Sequence, residues 1–366
     1  MTKLLVVGAG IFGLSTAWSA MKRGAHVEIV EQAAIPNPAG SSVDQHRLIR
    51  YPYGPQVGYT RMVADAYDAW DRLWADLGQT LYAASGSLMF EDAVDGWIAA
   101  IRAAMDTCNV AHTRPTDLAR RYPALIPDGF ADVLEAETGG TLFAGDIVAA
   151  LADWLRAHGA VLHANAPVRD IDPARASVTL ADGRRLSGDA LVVCAGPWTN
   201  RLVPAMAARM TPSRQTIIYL DPPADWRDIW SDMPLLLDKA ASGSFYLVPP
   251  RQGRGLKVGF HTFSNVGDPD EPRDADPAAA EALLAICARR LARLDEYRIR
   301  SARSCFYDTV ADERFIVETL GPNAYVATGF SGHGFKFGAL VGERIAGAAV
   351  GGADPAALAR WAAGHL

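Results

Sequence analysis

The run Val6-Val7-Gly8-Ala9-Gly10-Ile11-Phe12-Gly13 decides the fold, because it sets G-x-G-x-x-G between a buried strand and a helix. The strand is the apolar segment from Lys3 to Val7, and the helix runs from about Ile11 to Arg23 and stops at Gly24. Gly8 permits the tight turn, Gly10 lets the backbone approach a pyrophosphate, and Gly13 lets the helix pack on the sheet. The helix start at Ile11 and Phe12 offers free N–H groups and a positive dipole end to phosphate. The next strand, Val27–Glu31, ends on a carboxylate suited to accept hydrogen bonds from a ribose. This is a dinucleotide site, and the motif alone does not separate FAD from NAD.

Outward from this unit, residues 36–58 are rich in Pro, Gly, Ser, Arg and Tyr and have no period. They read as a long ordered loop, a type of connection that carries function. Val63, Ala66, Tyr67, Trp70, Leu73, Trp74 and Leu77 then mark one face of an amphipathic helix. A second α/β stretch begins near Gly145, with a helix at 147–158, strands at 161–163, 168–171 and 177–180, a hairpin signal at Asp182-Gly183 and a wholly apolar strand at 191–195. Residues 211–307 hold several strands and one helix, roughly Pro277 to Leu294. The chain then returns to a strand at 325–328, a glycine loop and a small-residue helix at 338–350. Strand–helix units around a β-rich insert predict two interleaved α/β domains. Segments 1–84, 140–210 and 308–366 make the nucleotide-binding domain, and 85–139 with 211–307 make an antiparallel-sheet substrate domain.

Half of the 366 residues are apolar, enough for a large core. A net charge of -6 without a long basic run argues against a nucleic-acid partner. No apolar run reaches the roughly eighteen residues of a membrane span. The chain enters its first strand at once, with no signal-peptide pattern. Cys108, Cys194, Cys287 and Cys305 are far apart and form no CxxC, so reduced thiols in a cytoplasmic protein are expected.

Four further blocks carry a family resemblance. They are Arg47-Leu48-Ile49-Arg50-Tyr51-Pro52-Tyr53-Gly54, Gly255-Leu256-Lys257-Val258-Gly259-Phe260-His261, Ser304-Cys305-Phe306-Tyr307-Asp308-Thr309 and Gly329-Phe330-Ser331-Gly332-His333-Gly334-Phe335-Lys336-Phe337. In order and spacing they resemble the monomeric sarcosine oxidase and N-methyltryptophan oxidase family. Leu191–Gly196 with Pro197 and Trp198 likewise resembles the second nucleotide-side strand of the glutathione-reductase-like FAD fold. Two departures stand out. The family's His-Gly-Asp-Thr run before the first arginine is Val43-Asp44-Gln45-His46 here, so its histidine is missing or displaced to His46. After Tyr246 the chain reads Leu247-Val248 instead of Gly-Phe.

The resemblance implies a monomeric FAD enzyme that passes hydride from the carbon beside nitrogen of a secondary amino acid to flavin, and returns the electrons to O2 as hydrogen peroxide. The alternative is a dehydrogenase serving a quinone or protein carrier. Cys305 is the implied covalent attachment point; Arg300 and Arg303 are its nearest cations in sequence. Arg50 and Lys336 are implied to hold the substrate carboxylate, Arg47 to lie near the flavin, and Lys257 to activate dioxygen. Tyr246, His261 and Tyr307 are expected to line the substrate cavity. Gly8, Gly10, Ile11, Phe12, Gly13, Glu31, Arg47, Gly196, Trp198, Gly332, Gly334, Phe335 and Lys336 are expected to hold the cofactor. Alternation along Leu256–His261 puts Lys257 and His261 on one face, which a half-exposed strand would show equally.

Overall fold

The computed structural model describes residues 2–365. Lys3–Val7 stands inside a six-stranded sheet ordered Ile316–Gly321, Ala324–Thr328, Ala190–Val193, Lys3–Val7, His26–Val30, Val161–His163. Neighbours are parallel except the first pair, an edge hairpin. Parallel strands must be covered on both faces. Here Leu4, Val6 and Val192 pack toward helices, while Leu5, Val7 and Val193 pack against Val178 and Leu180 of a small antiparallel meander, Val168–Asp172, Ser177–Leu180 and Arg185–Ser187. The helices Ile11–Lys22 and Gly338–Ala349 cross closely: a Cβ on Gly342 would lie 2.5 Å from Ser15.

The second sheet has seven strands, ordered Arg298–Thr309, Thr211–Asp221, Leu256–Phe260, Phe245–Val248, Leu235–Lys239, Ser87–Glu91, Asp132–Ala136. It is antiparallel apart from one pair, Leu235–Lys239 beside Ser87–Glu91, which is parallel. Those two strands come from distant parts of the chain, and a parallel pair needs a long connection of this kind. A small sheet of Arg47–Ile49, Gly140–Leu142 and Tyr82–Ala84 lies where the chain passes between the two large ones, and gives the aperiodic loop a short strand.

Val57–Leu77 buries Val63, Ala66, Trp70, Leu73 and Trp74 of the expected stripe, leaves Tyr67 and Leu77 half-buried, and ends at Gly78 with φ 67°. The helix expected from Pro277 to Leu294 stops at Cys287. Two neighbouring arginines, Arg289 and Arg290, both turn onto Asp238, and the Ala292 N–H leaves the helix to bond Ala124 O. A last helix, Pro355–Ala362, was not anticipated; Asp354 caps it by accepting from Ala356 N at 2.9 Å, and Pro355 opens it. Among the described residues no helix is long and apolar enough to cross a membrane.

Candidate active site

The turn after Val7 builds the first of two cavities. Gly8 has φ +100°, and a Cβ there would lie 2.3 Å from Cys194 O; one on Gly13 would lie 1.9 Å from Gly8 O. Only glycine lets strand, turn and neighbouring strand approach this closely. The Ile11 N–H donates to Ser42 Oγ at 3.0 Å. Glu31 Oε2 accepts from Ala9 N at 2.9 Å, and Oε1 accepts from Asn37 Nδ2 at 2.9 Å and Ala33 N at 3.3 Å, which leaves acceptor capacity on Oε2. Gly8, Gly10, Ile11, Phe12, Glu31, Gly196 and Trp198 line one cavity of about 350 Å³. Trp198 is held there by its Nε1–H to Asp270 at 2.7 Å. A glycine floor, a helix start and a strand-end carboxylate fit a dinucleotide such as FAD.

The second cavity, about 420 Å³, lies back to back with the first. Tyr307 and Ser331 line it, while their chain neighbours Asp308 and Phe330 line the nucleotide cavity. Arg47, Arg50, Tyr246, Lys257, His261, Gly332, Phe335 and Lys336 share its wall. Strand alternation aims Lys257 inward, and His261, just past the strand end, follows it. Glycines make room for the tyrosines: a Cβ on Gly332 would lie 2.3 Å from the Tyr307 ring and one on Gly259 2.6 Å from Tyr246 Oη. The His261 ring opens onto the cavity; the enclosing protein and the cations Arg50, Lys239 and Lys336 push it down to about 3, so it is neutral.

At one end of this cavity, Arg50 is 6% exposed and Lys336 2%. Arg50 Nε and Nη1 have no hydrogen-bond partner. Its guanidinium sits 5.5 Å from the Tyr53 ring and 5.9 Å from that of Trp97. Lys336 Nζ donates to Tyr53 Oη and His333 O, both at 2.7 Å, so its partners are uncharged. Burial and the adjacent Arg50 pull the Lys336 ammonium well below its usual range. Two buried cations with no carboxylate partner need an anion. Trp97 reaches this place because Glu91 caps its helix, accepting from Trp97 N and Ile98 N at 2.8 Å each.

On the wall nearer the nucleotide cavity, Lys257 Nζ bonds Asp44 Oδ2 at 2.6 Å and His46 O at 3.2 Å. Arg47 pairs with the same carboxylate, and Tyr219 Oη donates to it. His46 lies behind the wall, its Nε2 facing Gly255 O at 3.1 Å, and burial followed by Lys257 pushes its ring down to about 3. It lines neither cavity. Of the other departure, Leu247 is buried in the sheet core and Val248 faces the cavity.

Cys305 is buried and lines neither cavity; it faces Arg47, Lys257 and Arg273. Arg300 instead bonds Gly253 O and Arg303 bonds Pro38 O. Arg47 and Arg273 reach Cys305 from distant parts of the chain, which sequence proximity could not indicate. Sequence reasoning also missed Asp44, Tyr53 and Trp97. For Tyr53 the signal was its place inside the quoted arginine block; Asp44 stood only as a departure from the family run, and Trp97 had no signal.

The family model described as FAD dependent oxidoreductase matches residues 3–348. Monomeric sarcosine oxidase of Bacillus sp. (strain NS-129) is 26% identical over 362 residues, covering 94% of this chain and 91% of that protein. N-methyl-L-tryptophan oxidase of Salmonella arizonae is 28% identical, over 93% of this chain and 92% of that protein. Among solved structures, NikD, an unusual amino acid oxidase essential for nikkomycin biosynthesis, superposes with a TM-score of 0.81 over 98% of both chains at 24% identity.

Proposed function

The chain belongs to the FAD dependent oxidoreductase family, and from that premise we propose that it oxidises a secondary amino acid, N-methyl or cyclic, with O2 as acceptor. The observation that carries this reading is the carboxylate-free pair Arg50 and Lys336 at the end of the substrate cavity. A guanidinium grips both oxygens of a carboxylate and fixes its orientation, while an ammonium adds a point charge. FAD, when bound, accepts the hydride lost from the carbon beside nitrogen. The glycine turn at Gly8, Gly10 and Gly13 and the helix start at Ile11 and Phe12 would hold its phosphates, and Glu31 its ribose. Segments 1–84, 140–210 and 308–366 serve as the FAD-binding part, and 85–139 with 211–307 as the substrate part.

The substrate nitrogen must be neutral, because an ammonium has no lone pair to support developing positive charge. His261, uncharged and near Arg50, is placed to hydrogen-bond the neutral substrate nitrogen. Tyr246 and Tyr307 wall the cavity. Lys257 presents a fixed positive charge to dioxygen as it is reduced to hydrogen peroxide. Cys305 is the attachment point for a covalent flavin, with the Arg47 and Arg273 guanidiniums near it. Burial pushes the Cys194 thiol up to about 12 and raises Cys287 as well, which leaves those two inert. A panel of N-methyl, cyclic and primary amino acids, read by peroxide release, tests the reading. Peroxide is expected from the secondary amino acids, and peroxide from primary amino acids alone would overturn it.

A further inference from the structure

The carboxylate of Asp44 is a charged feature behind the wall that the family pattern does not supply. It lies in the loop where the family run has glycine, and it collects Lys257, Arg47 and Tyr219, which reach it from three separate segments. The ion pair with Lys257 is dry: the two side chains are 2% and 3% exposed. Asp44 lines neither cavity, whereas Lys257 and Arg47 line the substrate cavity. The carboxylate therefore grips both cations from behind and leaves them facing inward.

We infer that Asp44 is a positioning residue that keeps Lys257 charged and fixes its Nζ at the cavity wall. A lysine enclosed this fully loses its proton near neutral pH unless a counter-charge holds it. Burial first, then the Arg47 and Arg303 guanidiniums, act against the ammonium. Among the described residues, Asp44 is the only carboxylate within ion-pair distance of it. The other polar groups facing Lys257 are the His46 carbonyl, the Tyr246 ring at 5.7 Å, Tyr219 on the adjacent strand and Cys305. A fixed charge serves dioxygen reduction only while the lysine is protonated, so this assignment gives Asp44 a part in the proposed reaction without contact with substrate. That consequence rests on the oxygen role proposed for Lys257; the ion pair itself does not.

The chain has five lysines, Lys3, Lys22, Lys239, Lys257 and Lys336, so selective carbon-13 labelling at lysine Cε gives few signals. Lys257→Met assigns the one that matters. In the unmodified holoprotein the Lys257 signal is expected to be that of an ammonium at pH 8; a neutral amine there overturns the inference without any variant. In Asp44→Asn its titration midpoint is expected to fall by at least about two pH units. The other four signals report whether that variant keeps its fold, and Asp44→Glu, which retains the charge, is expected to restore the midpoint. An unchanged midpoint in a folded Asp44→Asn protein contradicts the assignment. Reoxidation of the reduced variant by air, followed against pH, should slow as Lys257 loses its proton. If the midpoint moves and reoxidation does not, the oxygen role of Lys257 fails while the ion-pair assignment stands.

Discussion

Arg50 and Lys336 lie 286 positions apart in sequence and reach the same cavity, each buried and each without a carboxylate. Removing one partner of such a contact with a bound anion costs about 2–5 kcal/mol. Arg50→Ala or Lys336→Ala is therefore expected to weaken substrate binding at least roughly thirtyfold. Steady-state or anaerobic binding measurements on the carboxylated substrate and its decarboxylated amine check this; an unchanged preference between the two refutes the assignment. Asp308 behaves differently. Burial pushes its carboxyl up to about 6, against the Phe330 and Gly329 N–H groups and Thr328, which favour the anion. A folded value above the unfolded one means stability present below the unfolded value and lost as pH rises through about 6. The gap amounts to something on the order of 3 kcal/mol. Asp308→Asn should match the unmodified protein in denaturant midpoint near pH 4 and exceed it at pH 8. An equal difference at both pH values refutes the account. At this scale the sequence was informative where a residue sits in a long motif, as Lys336 does in its glycine loop. It was silent on Asp44, whose partners Tyr219 and Lys257 are 175 and 213 positions away.

The strand–turn–helix at the N-terminus was legible because each glycine meets a separate steric demand within eight residues. Gly13→Ala is expected to cost the protein its flavin, since a methyl 1.9 Å from Gly8 O forces helix and turn apart. The ratio of flavin to protein absorbance after purification checks this, and full occupancy refutes it. Strand Arg298–Thr309 carries both Cys305 and Tyr307, and its extended pairing with Thr211–Asp221 holds them in register. If Cys305 anchors the cofactor, acid precipitation leaves a yellow pellet, and Cys305→Ala a colourless one; a yellow supernatant from the unmodified protein contradicts it. Helix ends were less legible where tertiary contacts set them. The apolar pattern after Pro277 runs past Cys287, but just beyond it Arg289 and Arg290 pair with Asp238 of Leu235–Lys239 and the Ala292 N–H bonds Ala124 O, contacts that periodicity does not show. The parallel pairing of Ser87–Glu91 was invisible for the same reason, because strand order is not written in periodicity.

Across the whole molecule, two sheets meet so that consecutive residues serve opposite cavities. Tyr307 and Asp308 divide in this way, as do Ser331 and Phe330. A nucleotide slot and a cation-rich chamber share one wall, which is the layout required to bring an amino acid against a flavin. Interleaving was foreseeable from strand–helix units at both ends of the chain, whereas the shared wall joins the end of the strand Arg298–Thr309 to the glycine loop at 329–334, a meeting that no period in the sequence shows. The central claim is that this chamber delivers a secondary amino acid to the flavin through its carboxylate. Anaerobic mixing of the holoprotein with sarcosine, a larger N-methyl amino acid and proline, followed by visible absorbance, tests it most directly. At least one of these is expected to bleach the flavin while its decarboxylated amine does not, and colour should return with peroxide when air is admitted. A flavin that stays yellow with every carboxylated secondary amine, or bleaches equally with the decarboxylated ones, would contradict the account.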